Sequence, residues 1–157
     1  MPEDAKLVRA GEGPVWWVVG NQVTFKAVAE DTAGTYTLFE ITVPPGEGTP
    51  PHIHSREDEG FYILEGELQM RLGNEERTLA AGDYLHAPRG MVHCYRTVSK
   101  QPVKMLVSAV PAGIEKYFEE VAHRVTDSSP APEAATPEDF ARLLEAAPKY
   151  GLTILAE

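Results

Sequence analysis

His52 and His54 stand two residues apart, and on a β-strand such a pair projects from one face, so both imidazoles can reach the same ion. Between them and the next run of strand formers lie Ser55 to Asp58, polar and charged, a stretch suited to a turn that brings a carboxylate back beside the pair. Glu59 is placed for that role, with Glu57 and Asp58 competing for it. His93 follows the turn residues Pro88, Arg89 and Gly90 on a segment rich in β formers, and so can approach from another side. Three neutral imidazoles and a carboxylate make a nitrogen-rich donor set. It suits one divalent transition metal ion (Fe, Mn, Ni, Co, Cu or Zn) and is too rich in nitrogen for calcium or magnesium. The expected ligands are His52, His54, Glu59 and His93, leaving room for water, oxygen or substrate.

The elements that must position these residues are short. From about Asn21 to Val110, β-branched and aromatic runs alternate with turn residues, the pattern of an all-β sandwich or barrel. Expected strands are Gln22 to Ala29, Thr35 to Val43, Gly60 to Leu64, Glu67 to Leu72, Tyr84 to Ala87, Val92 to Val98 and Val103 to Val110. Within Glu67 to Leu72, Leu68, Met70 and Leu72 share one face and Glu67, Gln69 and Arg71 the other. After Pro111 the period lengthens. Ile114, Tyr117, Phe118, Val121, Ala122 and Val125 recur at helical spacing, which predicts a helix packed on the barrel.

Residues 126–136, rich in Ser, Pro and Ala, read as a linker. A second helix is expected after Thr136, with Pro137 at its first position, Asp139 three past the cap, and Phe140, Leu143, Leu144 and Ala147 on its apolar face. Gly151 ends it, and Leu152 to Leu155 could add an edge strand, on this chain or a neighbouring subunit. The domain reading is therefore a barrel with its following helix over 1–125, the linker over 126–136, and a C-terminal helix and edge strand over 137–157.

Composition narrows the partners. The chain has 157 residues, 43% of them apolar, enough to bury the core of one domain. Against 14 Lys and Arg stand 24 Asp and Glu, a net charge of −10, which repels phosphate backbones and anionic membranes at long range. Neither nucleic acid nor membrane is an expected partner. No stretch approaches the roughly 20 apolar residues of a membrane span, and the charged residues 1–13 have no apolar run suited to a signal peptide. Cys94, the single cysteine, cannot form an internal disulfide. A cytoplasmic location is expected.

Gly46, His52, His54, Glu59 and Gly66 match the first motif of the cupin superfamily, G-x5-H-x-H-x(3,4)-E-x6-G, at every fixed position. Gly82, Pro88, Gly90 and His93 match the second, with Thr97 where the family usually has Asn. The chain thus resembles a cupin, and the resemblance implies a double-stranded β-helix, a jelly-roll-like barrel with short C-terminal helices. Spacing to Gly66 selects Glu59 as the carboxylate and leaves Glu57 and Asp58 as solvated turn charges.

The run from Pro50 to Gly66, with Pro111 to Glu115 after it, is similar to bacterial single-domain cupins grouped with quercetin 2,3-dioxygenase. That likeness implies a metal-dependent dioxygenase of a flavonol or a related enolisable aromatic, with Glu59 as catalytic base for the substrate hydroxyl and dioxygen as co-substrate. Phe61 and Ile63 share parity with Glu59, and Met91 and Tyr95 with His93. Phe61, Met91 and Tyr95 are expected to line the substrate pocket, and Ile63 to belong to the core. His86 is expected to have no direct role, Cys94 to be a small core residue, and His123 to lie on the surface of the first helix. A homodimer is expected, because barrels with exposed edge strands often pair. Two other readings stay open: a non-catalytic metal- and small-molecule-binding sensor or carrier, and a non-oxidative decarboxylase, isomerase or cyclase.

Overall fold

A computed structural model describes residues 4–155. Its strands are β1 (Val15–Val18), β2 (Asn21–Ala27), β3 (Thr37–Val43), β4 (His52–His54), β5 (Asp58–Glu65), β6 (Glu67–Leu72), β7 (Glu75–Ala80), β8 (Tyr84–Ala87), β9 (His93–Thr97), β10 (Val103–Val110), β11 (His123–Val125) and β12 (Leu152–Ile154). Its helices are α1 (Ala29–Thr32), α2 (Ile114–Val121) and α3 (Pro137–Ala146), and a 3-10 turn spans Ala147–Tyr150. The strands form two antiparallel sheets, ordered β11-β1-β2-β3-β10-β5-β8 and β12-β4-β9-β6-β7. This is the all-β, jelly-roll-like barrel that the motifs imply.

Alternation builds the interior. Along β3 and β10 every second residue is buried, and the two strands pair Val103↔Val43 through Ala109↔Thr37, so their inward faces coincide. Phe39, Ile63, Leu68, Met70 and Met105 are almost wholly shielded; each such side chain stabilises the fold by about 1.5–3 kcal/mol relative to exposure. Gly66 joins β5 to β6 at φ +85°, and a Cβ there would meet the Pro102 carbonyl at 2.6 Å. Only glycine fits.

Differences from the expected elements lie at the margins. β1, α1 and β11 were not foreseen, and β7 lay outside the expected strands. The helix beginning at Ile114 stops at Val121; His123 then stands in β11, antiparallel to β1, and not on a helix. The helical stripe ran on because Val125 continues an apolar period that a short strand also satisfies. Thr136 caps α3 as expected, its hydroxyl accepting from the Asp139 amide while the Asp139 carboxylate accepts from the Thr136 amide.

The closing strand β12 pairs with β4 of the same chain, Leu152↔His54 and Ile154↔His52. The Leu155 amide donates to the Pro51 carbonyl, and the Ser55 amide to the Gly151 carbonyl. The C-terminal segment therefore lies directly along the strand that carries two candidate ligands. Among the described residues no helix is long and apolar enough to cross a membrane.

Candidate metal centre

Each candidate ligand is aimed by its strand. His52 and His54 project inward from β4, and His52 stands opposite His93 in the β4–β9 ladder. Glu59 comes from β5 in the facing sheet, where it pairs with Ala109 and Ala87, residues too small to crowd it. Gly90, at φ +82°, donates its amide to the His54 carbonyl, so the turn before β9 is docked on the ligand strand. The spacing of the two motifs thus becomes a single cluster.

Four donor atoms, one from each of His52, His54, Glu59 and His93, lie within 4.8 Å of one another. Donors held about 2.0–2.2 Å from an ion stand up to about 4.4 Å apart, so little adjustment would close the shell. The outer ring nitrogens are occupied. His52 Nδ1 donates to the Pro50 carbonyl at 2.9 Å and His93 Nδ1 to the Met91 carbonyl at 3.2 Å. These contacts select the tautomer that turns the Nε2 lone pair inward. At His54 the outer partner is a carboxylate: Glu57 lies 3.3 Å from Nδ1, in ion-pair range although not aligned as a hydrogen bond.

Electrostatics favour the ligand form at His52 and Glu59. At His54 burial is outweighed by the Glu59 and Glu57 carboxylates, which raise its pKa, so an ion there would have to displace a proton. Burial holds His52 neutral, reinforced by the neighbouring imidazoles, and lowers its pKa to about 3. Burial alone would raise the Glu59 carboxyl, but His54, His93 and His52 outweigh it and bring the pKa to about 2. Glu59 Oε2 lies 2.8 Å from His93 Nε2 and 3.3 Å from His54 Nε2. A carboxylate 6% exposed among three converging imidazoles is the arrangement that a shared cation stabilises.

A cavity of about 90 Å³ adjoins the cluster, room for roughly six to nine waters, and hence for one small organic molecule. Phe61 and Tyr95 stand in its wall with His52, His54 and Glu59. Burial, and then the charge of Glu59, push the Tyr95 phenol above its ordinary pKa, so it stays protonated. Leu143, Leu152 and Ile154 close the wall from the C-terminal segment, where no ligand-like spacing marked them in the sequence.

Several expectations need correction. Met91 does not line the cavity and is 39% exposed; it lies in the turn before β9, where strand parity does not apply, and contributes its carbonyl instead. Glu57 is 4% exposed, not solvated, because the chain folds its side chain under His54. Asp58 behaves as a turn charge, accepting from the Arg89 amide at 2.8 Å and pairing with its guanidinium at 3.1 Å. His86 is exposed, opposite Gly60 on the outer face of β5. Cys94 faces away from the cluster, half-buried rather than in the core. His123 is half-buried and contacts Asp139.

Residues 39–109 match the family model described as "Cupin domain", and this stretch, which carries the cluster of candidate ligands, is a cupin domain. Over 153 residues, 96% of the chain, it is 31% identical to quercetin 2,3-dioxygenase of Bacillus subtilis (strain 168) and covers 44% of that protein. It is 34% identical over 116 residues to oxalate oxidase GF-2.8 of Triticum aestivum, covering 66% of this chain and 50% of that one. The chain thus spans about half the length of these curated relatives. A predicted oxalate decarboxylase from Thermotoga maritima superposes with a TM-score of 0.63 at 19% identity, over 68% of this chain and 99% of that one, a likeness of fold.

Proposed function

We propose that this cupin is a metal-dependent enzyme, a dioxygenase acting on a flavonol or a related enolisable aromatic. One observation carries the reading: an ionised, buried Glu59 converges with three inward-facing imidazoles at one end of a largely apolar cavity. The similarity to the Bacillus quercetin 2,3-dioxygenase over nearly the whole chain supports the same substrate class. His52, His54, His93 and Glu59 would hold the ion. When bound, a transition metal supplies Lewis acidity for an enolate oxygen and a site for dioxygen.

The chain's own residues do the rest. Phe61 and Tyr95 confine an aromatic ring beside the cluster and exclude water. Glu59 accepts the proton of the substrate hydroxyl, the step that makes the substrate electron-rich. The Tyr95 phenol, kept protonated, offers a donor rather than a second negative charge. A homodimer is part of this reading.

Elemental analysis of protein purified without chelators, followed by an oxygen-electrode screen of flavonols, tests the proposal. Glu59→Gln is expected to retain metal while turnover falls roughly 10²- to 10⁴-fold, the loss typical of removing a general base. Full metal and undiminished rate in that variant would remove Glu59 from the mechanism. Turnover without oxygen uptake would replace the dioxygenase with a decarboxylase, isomerase or cyclase.

A further inference from the structure

The strand that carries two candidate ligands has an apolar neighbour. β12 runs antiparallel to β4 with Leu152 opposite His54 and Ile154 opposite His52, and residues directly opposite in a ladder project from the same face. Leu152 and Ile154 accordingly stand in the cavity wall with the two histidines, while Thr153 between them is exposed. Leu143 reaches the same wall from α3. None of the three side chains can donate or accept a hydrogen bond, so what they give the cavity is shape.

This wall is held in place. The Ser55 amide donates to the Gly151 carbonyl at 2.9 Å and the Leu155 amide to the Pro51 carbonyl at 2.8 Å, which pins β12 just before its first residue and just after its last. The Tyr117 hydroxyl donates to the Leu143 carbonyl at 2.7 Å. The cavity so bounded measures about 90 Å³. Room for roughly six to nine waters, at about 30 Å³ each in the liquid, is roughly 180–270 Å³. Pockets for drug-sized molecules begin at roughly 300 Å³. One aromatic ring and its substituents fit, and the three rings of a flavonol do not.

We infer that Leu152 and Ile154, backed by Leu143, are specificity-determining residues that limit the ligand of this site to a single-ring enolisable aromatic. This rests on the cavity being the substrate site, and within the class proposed above it selects the smaller member over the flavonol. Selection is steric. A ring whose oxygen engages the cluster fills the space, and a second ring has no room between the cluster and the C-terminal segment.

The test compares phenol with 4-phenylphenol on the full chain loaded with zinc, which has no redox chemistry and leaves both probes intact. Amide shifts in NMR titrations give the dissociation constants. Phenol is expected to bind wild type roughly 10-fold or more tighter than 4-phenylphenol, although the larger probe is the more hydrophobic, because even one methylene too many in a closed pocket costs about that factor. Leu152→Ala and Ile154→Ala should each raise the affinity for 4-phenylphenol roughly 10-fold while phenol loses at most a fewfold. Equal or tighter binding of 4-phenylphenol by wild type, no binding of phenol, or a size order untouched by both substitutions would each overturn the inference. Should Leu152→Ala fail to fold, the half-buried Ile154 supplies the second variant, and the wild-type order still decides. The dioxygenase reading fails separately, as absence of oxygen uptake with flavonols and one-ring enols alike while the size order of binding persists.

Discussion

In the sequence Glu57 competes, with Asp58, against Glu59 for the carboxylate role, yet its side chain reaches back to His54 and not into the cluster. A carboxylate behind a ligating histidine fixes the ring and makes it a stronger donor, and losing such a partner usually costs 10–100-fold in metal affinity. Glu57→Ala is therefore expected to weaken metal binding by roughly that factor while leaving the four candidate ligands in place. A competition titration with a chromophoric chelator measures it, and unchanged affinity would reduce Glu57 to a packing residue. His52→Ala or His93→Ala should instead empty the centre, read as metal content at unchanged secondary structure. The candidate ligands were legible because two of them recur at strand period and all four match motif positions. Glu57 was not, because nothing in Ser55 to Asp58 says which of its charges is folded under.

At the scale of elements, the anchoring of α3 is the least obvious part of the fold. Asp139 joins the helix cap to β11, accepting from the Thr136 amide at 2.7 Å, from His123 Nε2 at 2.7 Å and from the Arg142 guanidinium at 2.5 Å. The Tyr117 hydroxyl adds a bond to the Leu143 carbonyl at 2.7 Å. Burial would raise the Asp139 carboxyl, but its hydrogen bonds from Thr136 and His123 prevail and lower the pKa from 3.8 to about 2. A carboxyl lowered in the folded state contributes its full stability above its unfolded pKa and loses it as pH falls through the folded value. The α3 anchor should thus be intact above pH 4 and fail on acidification toward pH 2, and Asp139→Asn should show the loosened state already at neutral pH. Amide exchange in 137–146 checks both. The capping residues made α3 readable, and alternation made β3, β6 and β10 readable. The pairing of β12 with β4 was only one of two options in the sequence, since an edge strand's register is decided by tertiary contacts and not by its own three residues.

For the whole molecule, the candidate ligands come from both sheets, so an ion bound there would join them. His52, His54 and His93 belong to the five-stranded sheet and Glu59 to the seven-stranded one. Ion bound a thousandfold above its dissociation constant stabilises the folded chain by about 4 kcal/mol. For a chain of this size each kcal/mol moves the midpoint about 2–4 °C, so chelation should lower Tm by roughly 8–16 °C. Differential scanning of loaded and stripped protein measures it; coincident transitions would mean that the folded chain binds no ion at this cluster. The same placement has a mechanical consequence. An ion held from both sides is a rivet through the barrel wall, and its load is carried across the sheets rather than along any ladder. In a single-molecule pull that separates β5 from β9, the rupture force should fall when a chelator is added, whereas pulling the β6–β7 hairpin apart within one sheet should feel no difference.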